Sequence, residues 1–279
     1  MIAAIWSITY ALSAVYLPGL ADVYGRKRLY TIAVVLQATF FFLMFFTWSF
    51  ASMVVVNGVI GAVGGVVFSV GPILMYESLH SRNVALIGTL YSLLDIGTSI
   101  VTIAYFGFIS KNWLYLGLFA FSLQLVSLFS LPLIDESPHY LLSTDRYNDL
   151  VKYFKKNASR NKSEPFELTN EEVEYMSSQN KDDSDTPSIM FFLRKPKILK
   201  NFLIMLLVWT VAVFNFNLVA YLVVGFENEY AAATASTTAD IIAQITAGFL
   251  FAWISLRKNY IGAFGASAIF GVFLGIFGI

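Results

Sequence analysis

Apolar residues in this chain gather into long blocks. Eight blocks, at about 1–20, 29–48, 51–76, 84–109, 112–133, 199–225, 232–255 and 260–279, carry few charges, and short polar stretches separate most of them. A helix rises about 1.5 Å per residue, so about 20 residues match a hydrocarbon core roughly 30 Å thick. The pattern therefore predicts eight transmembrane helices, because lipid offers no partner to free backbone polar groups. The first block ends in "ALSA", as a cleaved leader would, but it lacks a basic start and runs straight into a charged hinge, so it is read as a span.

Between about 135 and 197 the pattern changes to charged, Asn-rich and Ser-rich sequence, which divides the chain into 1–134, an insert at 135–197, and 198–279. In "RYNDLVKYFKKN", Tyr147, Leu150, Val151 and Phe154 recur at helical spacing and predict an amphipathic helix. "TNEEVEYM" opens with Thr169 and has Glu172 three residues on, the capping-box arrangement of a second short helix. "QNKDDSDTPS" reads as linker.

Composition agrees with the spans: 57% of residues are hydrophobic, 13% are charged and 26 are Phe, with mean hydropathy +0.68. That is too little polar surface for a soluble domain of this length. Net charge is zero, which gives no footprint for nucleic acid. No Cys is present, so neither disulfides nor thiolate metal sites are available. No nucleophile elbow, metal-ligand cluster or phosphate-binding loop suggests an enzyme, no cofactor is implied, and any driving force is a gradient.

The sign of the loops sets an expected orientation. If the hinge after the first block faces the cytoplasm, so do Arg26, Lys27, Arg28, Arg82, the basic residues from Arg146 to Lys197, Arg257 and Lys258, with Lys200 at the inner edge of a span. Lys111 alone of the basic residues falls outside, with Glu227 and Glu229, and both chain ends are external. Asn157 and Asn161 each begin an N-x-S sequon that a cytoplasmic insert would leave without sugar.

The hinge itself, "GLADVYGRKR" at 19–28, holds four charges between two apolar blocks. Gly19 permits close helix approach, Gly25 a tight turn, and Asp22 can face a helix N-terminus or a guanidinium. Arg26 and Lys27 offer partners to carboxylates on other cytoplasmic ends. "GPILMYESLHSR" places Pro72, Glu77 and Arg82 at the inner end of another span, and "DESPHYLLS" at 135–143 brings Glu136 to the same side.

Together these stretches resemble the major facilitator superfamily of secondary transporters. The hinge looks like the signature loop between the family's second and third helices, Glu77 with Arg82 like its charged pair after the fourth, and "DESPHYLLS" like the P-E-S-P-R-W-L sequence of sugar porters and organic-ion transporters. The resemblance implies an all-α transmembrane bundle, equivalent to family helices two to nine, working by alternating access between two halves. It also implies an inner latch of Gly19, Asp22, Gly25, Arg26, Lys27, Glu77, Arg82 and Glu136. Asp135, His139 and Tyr140 depart from the family sequence, and His139 is read as a solvated surface imidazole rather than a weak pH sensor. The second-half counterpart, "GFLFAWISLRKN", keeps Gly248, Arg257 and Lys258 without the acidic residue. On this alignment family helix one and helices ten to twelve are missing, so the chain reads as a fragment of a longer carrier or a degenerate relative.

Candidate substrate residues lie in the blocks equivalent to helices five, seven and eight. Asp95 and Asp240 sit near midplane, where an ionised carboxylate costs about 2.5–3.5 kcal/mol on insertion scales and so invites a function. Tyr91, Asp95, Thr98 and Thr102 share one helical stripe, and Asp240 with Gln244 are one turn apart. Of Asn215 and Asn217, which point in different directions, Asn217 with Tyr221 is assigned to the pathway. The alternative for each Asp is a hydrogen bond between helices made for packing. Gly58, Gly61, Gly64 and Gly65 form a small-residue stripe for close helix packing. Asn57 stands where sugar porters have an Arg, and the seventh helix lacks their paired glutamines. Two midplane acids without a midplane base lean toward organic cations, with facilitated diffusion or proton coupling. A sugar or polyol porter is the second transporter reading, and a non-transporting membrane protein or inactive fragment is the reading from another class. The expected partners are a small-molecule solute, protons and the lipid bilayer.

Overall fold

The computed structural model describes residues 2–162, 195–223 and 228–277, and these are almost entirely helical. In order they are α1 (Ile2–Tyr16), α2 (Pro18–Tyr24), α3 (Arg26–Met44), α4 (Phe50–Glu77), α5 (Ser81–Ala104), a π-helical turn (Tyr105–Ile109), α6 (Trp113–Ser130), a 3₁₀ turn (Leu131–Leu133), α7 (Pro138–Ser143), α8 (Tyr147–Asn161), α9 (Pro196–Val223), α10 (Glu229–Trp253) and α11 (Leu256–Phe277). Among the described residues, six segments are both long and apolar enough to cross a bilayer: Ala4–Tyr24, Arg26–Met44, Phe50–Glu77, Asn83–Ile109, Trp113–Leu133 and Pro196–Phe214. The last two predicted blocks are α10 and α11, helices of 25 and 22 residues. The second insert helix, the linker and Glu227 lie outside the described residues.

Contacts group the chain into two compact units that do not follow chain order, one of residues 1–79 with 112–205 and one of 80–111 with 206–279. In the first unit α4 packs against α1 and α3, and α3 also meets α6. Its core is Ala21, Ala33, Val63, Val66 and Val70, ringed by Leu17, Leu29, Tyr30, Val59 and Val67. Two glycines of the predicted stripe let α1 and α4 touch backbone to backbone. A Cβ on Gly61 would stand 2.5 Å from Trp6 O, and one on Gly65 2.9 Å from Ala14 N and Tyr10 O. Gly58 and Gly64 would meet only side-chain atoms, at 3.6 Å. At the other end of α3, Phe41 stacks on Phe121 and Phe45 on Trp113 of α6, while Phe42 and Phe45 meet Phe121 tilted and edge-on. α4 begins with a capping box, Ser49 Oγ accepting from Ser52 N at 3.1 Å while Ser52 Oγ accepts from Ser49 N at 3.3 Å. In the second unit, α5 and α10 form the main packed pair.

Much of the apolar surface faces outward: Trp48 is 94% exposed and Phe108 90%. In water this surface would drive aggregation, whereas in lipid it is the coat a bundle requires.

The hinge is more helical than the sequence predicts. Pro18 occupies the first turn of α2, which continues to Tyr24, so the non-helical part contracts to Gly25 at φ +101°. The expected close approach at Gly19 does not occur, because that residue is exposed and an added Cβ would meet nothing within 4 Å.

Candidate functional site

Gly25 ends α2 and opens α3, and its left-handed-side backbone leaves the first amides of α3 pointing at the chain that follows α6. Glu136 fills that position. Its Oε1 accepts from Lys27 N at 2.8 Å and from Ser137 N at 3.1 Å, and its Oε2 would be 2.7 Å from a Cβ on Gly25. A carboxylate thus caps the α3 N-terminus from outside the helix, where exposed amides and the helix dipole favour negative charge. The contribution of Lys27 to this cap is its main-chain N–H.

The Arg26 guanidinium turns the other way. It pairs with Glu77 at the end of α4, with Asp22 at 3.3 Å, and donates to Ser137 Oγ at 3.4 Å. Arg26 is 12% exposed and Glu77 21%, so this pair is mostly withdrawn from solvent, while Asp22 is exposed. Ser137 joins the two halves of the cluster. In "ESPHY" it is the N-cap of α7, followed by Pro138, and its Oγ accepts from Tyr140 N at 3.2 Å while donating to Glu77 Oε2 at 2.6 Å. It is fully buried. The Tyr140 hydroxyl donates to Val23 O at 3.3 Å, which closes the ring back onto α2. Ser137 and Tyr140 are the residues the sequence reading missed. The Ser-Pro pair was the available signal, since it marks a helix start.

Outside this cluster, α7 and α8 share a small core of Tyr140, Leu141 and Leu150 with Leu142, Tyr153 and Phe154 packed against it, so the predicted helix forms and, of its predicted face, Leu150 is buried and Phe154 packs beside it. Asp135 holds α8 by charge, pairing with Lys156 and, at 3.5 Å, with Arg160. At the start of α8, Arg146 donates to Asp149 at 2.6 Å and holds that exposed carboxyl below its ordinary pKa. His139 is exposed, as expected. The Arg82 side chain lies outside what is described.

The midplane candidates belong to the α5–α10 pair. A Cβ on Gly248 would lie 3.0 Å from Thr89 Oγ1, and one on Gly107 3.7 Å from Tyr230. Lys111, just past the π-helical turn, donates to the Tyr230 hydroxyl and lies 4.1 Å over its ring. These contacts fix α5 and α10 as antiparallel in one register along their length. That register brings Asp95 and Asp240 within about 3 Å of the same depth, two residues of helical rise.

Asp240 and Gln244 are half-buried, and Tyr91, Asp95 and Thr98 are exposed. The polar company expected for Asp95 is not supplied by the threonines. Thr98 donates to Asp95 O at 2.7 Å and Thr102 to Thr98 O at 2.9 Å, both main-chain acceptors of their own helix. Asn217 and Tyr221 fall on α9, but their side chains lie outside the described residues.

Long apolar helices whose ends are bound by a charged cluster define a polytopic membrane protein. The family model of the Major Facilitator Superfamily matches residues 1–279, the whole chain, and the chain belongs to that superfamily. It is an integral multi-pass membrane protein of a family of transporters rather than enzymes. A comparison with curated proteins returned no match.

Proposed function

We propose that this protein carries small organic solutes, organic cations foremost, across a membrane by alternating access, either facilitatively or coupled to protons. The observation that carries this reading is the register of α5 against α10, which sets two carboxylates at one depth of a single helix pair. An acid held there at a cost of about 2.5–3.5 kcal/mol is repaid when a cation or a proton neutralises it. On this reading Asp95 and Asp240 meet the solute, Tyr91, Thr98, Gln244, Asn217 and Tyr221 line its path, and the insert faces the cytoplasm.

The latch has a matching role. Arg26, Glu77, Glu136 and Ser137 tie the ends of α2, α3, α4 and α7 on the inward side, so opening inward requires these bonds to part. The test is uptake of tetraethylammonium by the full-length protein and by its Asp95→Asn and Asp240→Asn forms. Each variant is expected to lose at least about tenfold in uptake, near 1.4 kcal/mol of lost binding per acid, or to lose its pH dependence. Unchanged uptake and pH profile in both variants, or uptake blocked by hexoses and indifferent to cations, would overturn the reading.

A further inference from the structure

We propose that Ser159 is a phosphorylation site for a basophilic serine kinase, and that its phosphate releases α8 from Asp135. The inference rests on the cytoplasmic placement of the insert in the reading above. Ser159 is exposed on the last turn of α8. Lys155 and Lys156 precede it by four and three residues and Arg160 follows it, so positive charge lies on both sides of one accessible hydroxyl. Positions three and four apart share a helix face, which puts both lysines beside the Ser159 side chain. Basic residues upstream of a serine are what an acidic kinase pocket reads.

The end of α8 also suits entry into a kinase cleft. Lys162, at φ +53°, is its C-cap and donates its N–H to Ser159 O at 3.4 Å, so Ser159 belongs to the terminal turn, the part of a helix that opens at least cost. With ATP as co-substrate, the Ser159 oxygen attacks the γ-phosphorus and the new O–P bond forms. The bond from that phosphorus to the β,γ-bridging oxygen breaks, ADP departs with the electron pair, and the hydroxyl proton passes to the base of the kinase.

Two consequences of the new charge act in one direction. Lys156 and Arg160 are the two cations that hold Asp135, and a phosphate carrying about −1.5 to −2 charges on their own helix turn outcompetes one carboxylate for them. A dianion at a helix C-terminus also opposes the helix dipole and frays the turn. Asp135 adjoins Glu136, the residue that caps α3, so the release is transmitted to the latch through a single peptide bond.

The full-length protein, purified in detergent, is incubated with the catalytic domain of a basophilic serine kinase and ATP, then mapped by peptide mass and by amide hydrogen exchange. Phosphate is expected on Ser159 and absent from Ser159→Ala, with incorporation at least about tenfold slower when Lys155 and Lys156 are both changed to Ala. Exchange in α8 is expected to quicken by about tenfold on phosphorylation, and Asp135→Asn without phosphate is expected to reproduce that change. No phosphate on Ser159, or a phosphate that leaves α8 exchange unaltered, overturns the proposal. Sugar found on Asn157 in the cell-expressed protein overturns the cytoplasmic placement and this inference with it, whereas an unglycosylated, unphosphorylated insert overturns this inference alone.

Discussion

Arg26 sits among three acceptors, Glu77, Asp22 and Ser137, and is nearly closed off from solvent. Removing one partner of a withdrawn pair leaves the other charge without compensation, a larger loss than the pair's own net worth. Glu77→Gln is therefore expected to lower stability by about 2–4 kcal/mol, somewhat below the loss for a fully buried pair. Ser137→Ala removes a helix cap and a bond to Glu77, an expected loss of about 1–3 kcal/mol. Thermal unfolding in detergent reads both, and melting points equal to the parent's would refute the latch as drawn. Residues of this kind differ in how far a sequence reveals them. Charges are rare in this chain, so Arg26, Glu77 and Glu136 stand out. Ser137 is one serine among many, and its reach to Glu77 exists only once α4 and α7 are neighbours. Lys27 meets a carboxylate as expected, but through an amide freed by a helix start, a group that a sequence does not display.

Among the elements, the glycine stripe of α4 separates what spacing predicts from what packing uses. All four positions read as a packing face, yet Gly61 and Gly65 alone of them meet the α1 backbone. Gly61→Ala and Gly65→Ala are expected to push α1 from α4 and lower stability by about 1–3 kcal/mol. Gly58→Ala and Gly64→Ala have 3.6 Å of room. They are expected to be neutral or to gain up to about 1 kcal/mol from better helix propensity. If all four variants melt alike, the α1–α4 interface is placed wrongly. The signature hinge carries the same lesson. Its charges were legible, but its extent was not, because Pro18 starts a helix that runs through Asp22 to Tyr24.

For the whole molecule, the absence of cysteine makes sidedness directly measurable. On the proposed orientation, Trp48→Cys lies outside, between α3 and α4, and Lys155→Cys lies inside, on α8. A membrane-impermeant maleimide added to intact cells is expected to label the first and spare the second until the membrane is permeabilised. The reverse pattern would invert the topology and take the cytoplasmic latch with it.

Run length, charge sparsity and the signature stretches determined by themselves that this chain is a membrane-spanning helical bundle of the Major Facilitator Superfamily, because the bilayer leaves a long apolar segment no other stable form. They also supplied most members of the charged cluster around the start of α3, since a charge beside a span is too costly to be placed casually. Tertiary structure alone decided that Glu136 caps α3, that Ser137 joins it to Glu77, and that α5 and α10 pack antiparallel as one pair. Those facts depend on distances between residues far apart in the chain, and only helix packing sets such distances.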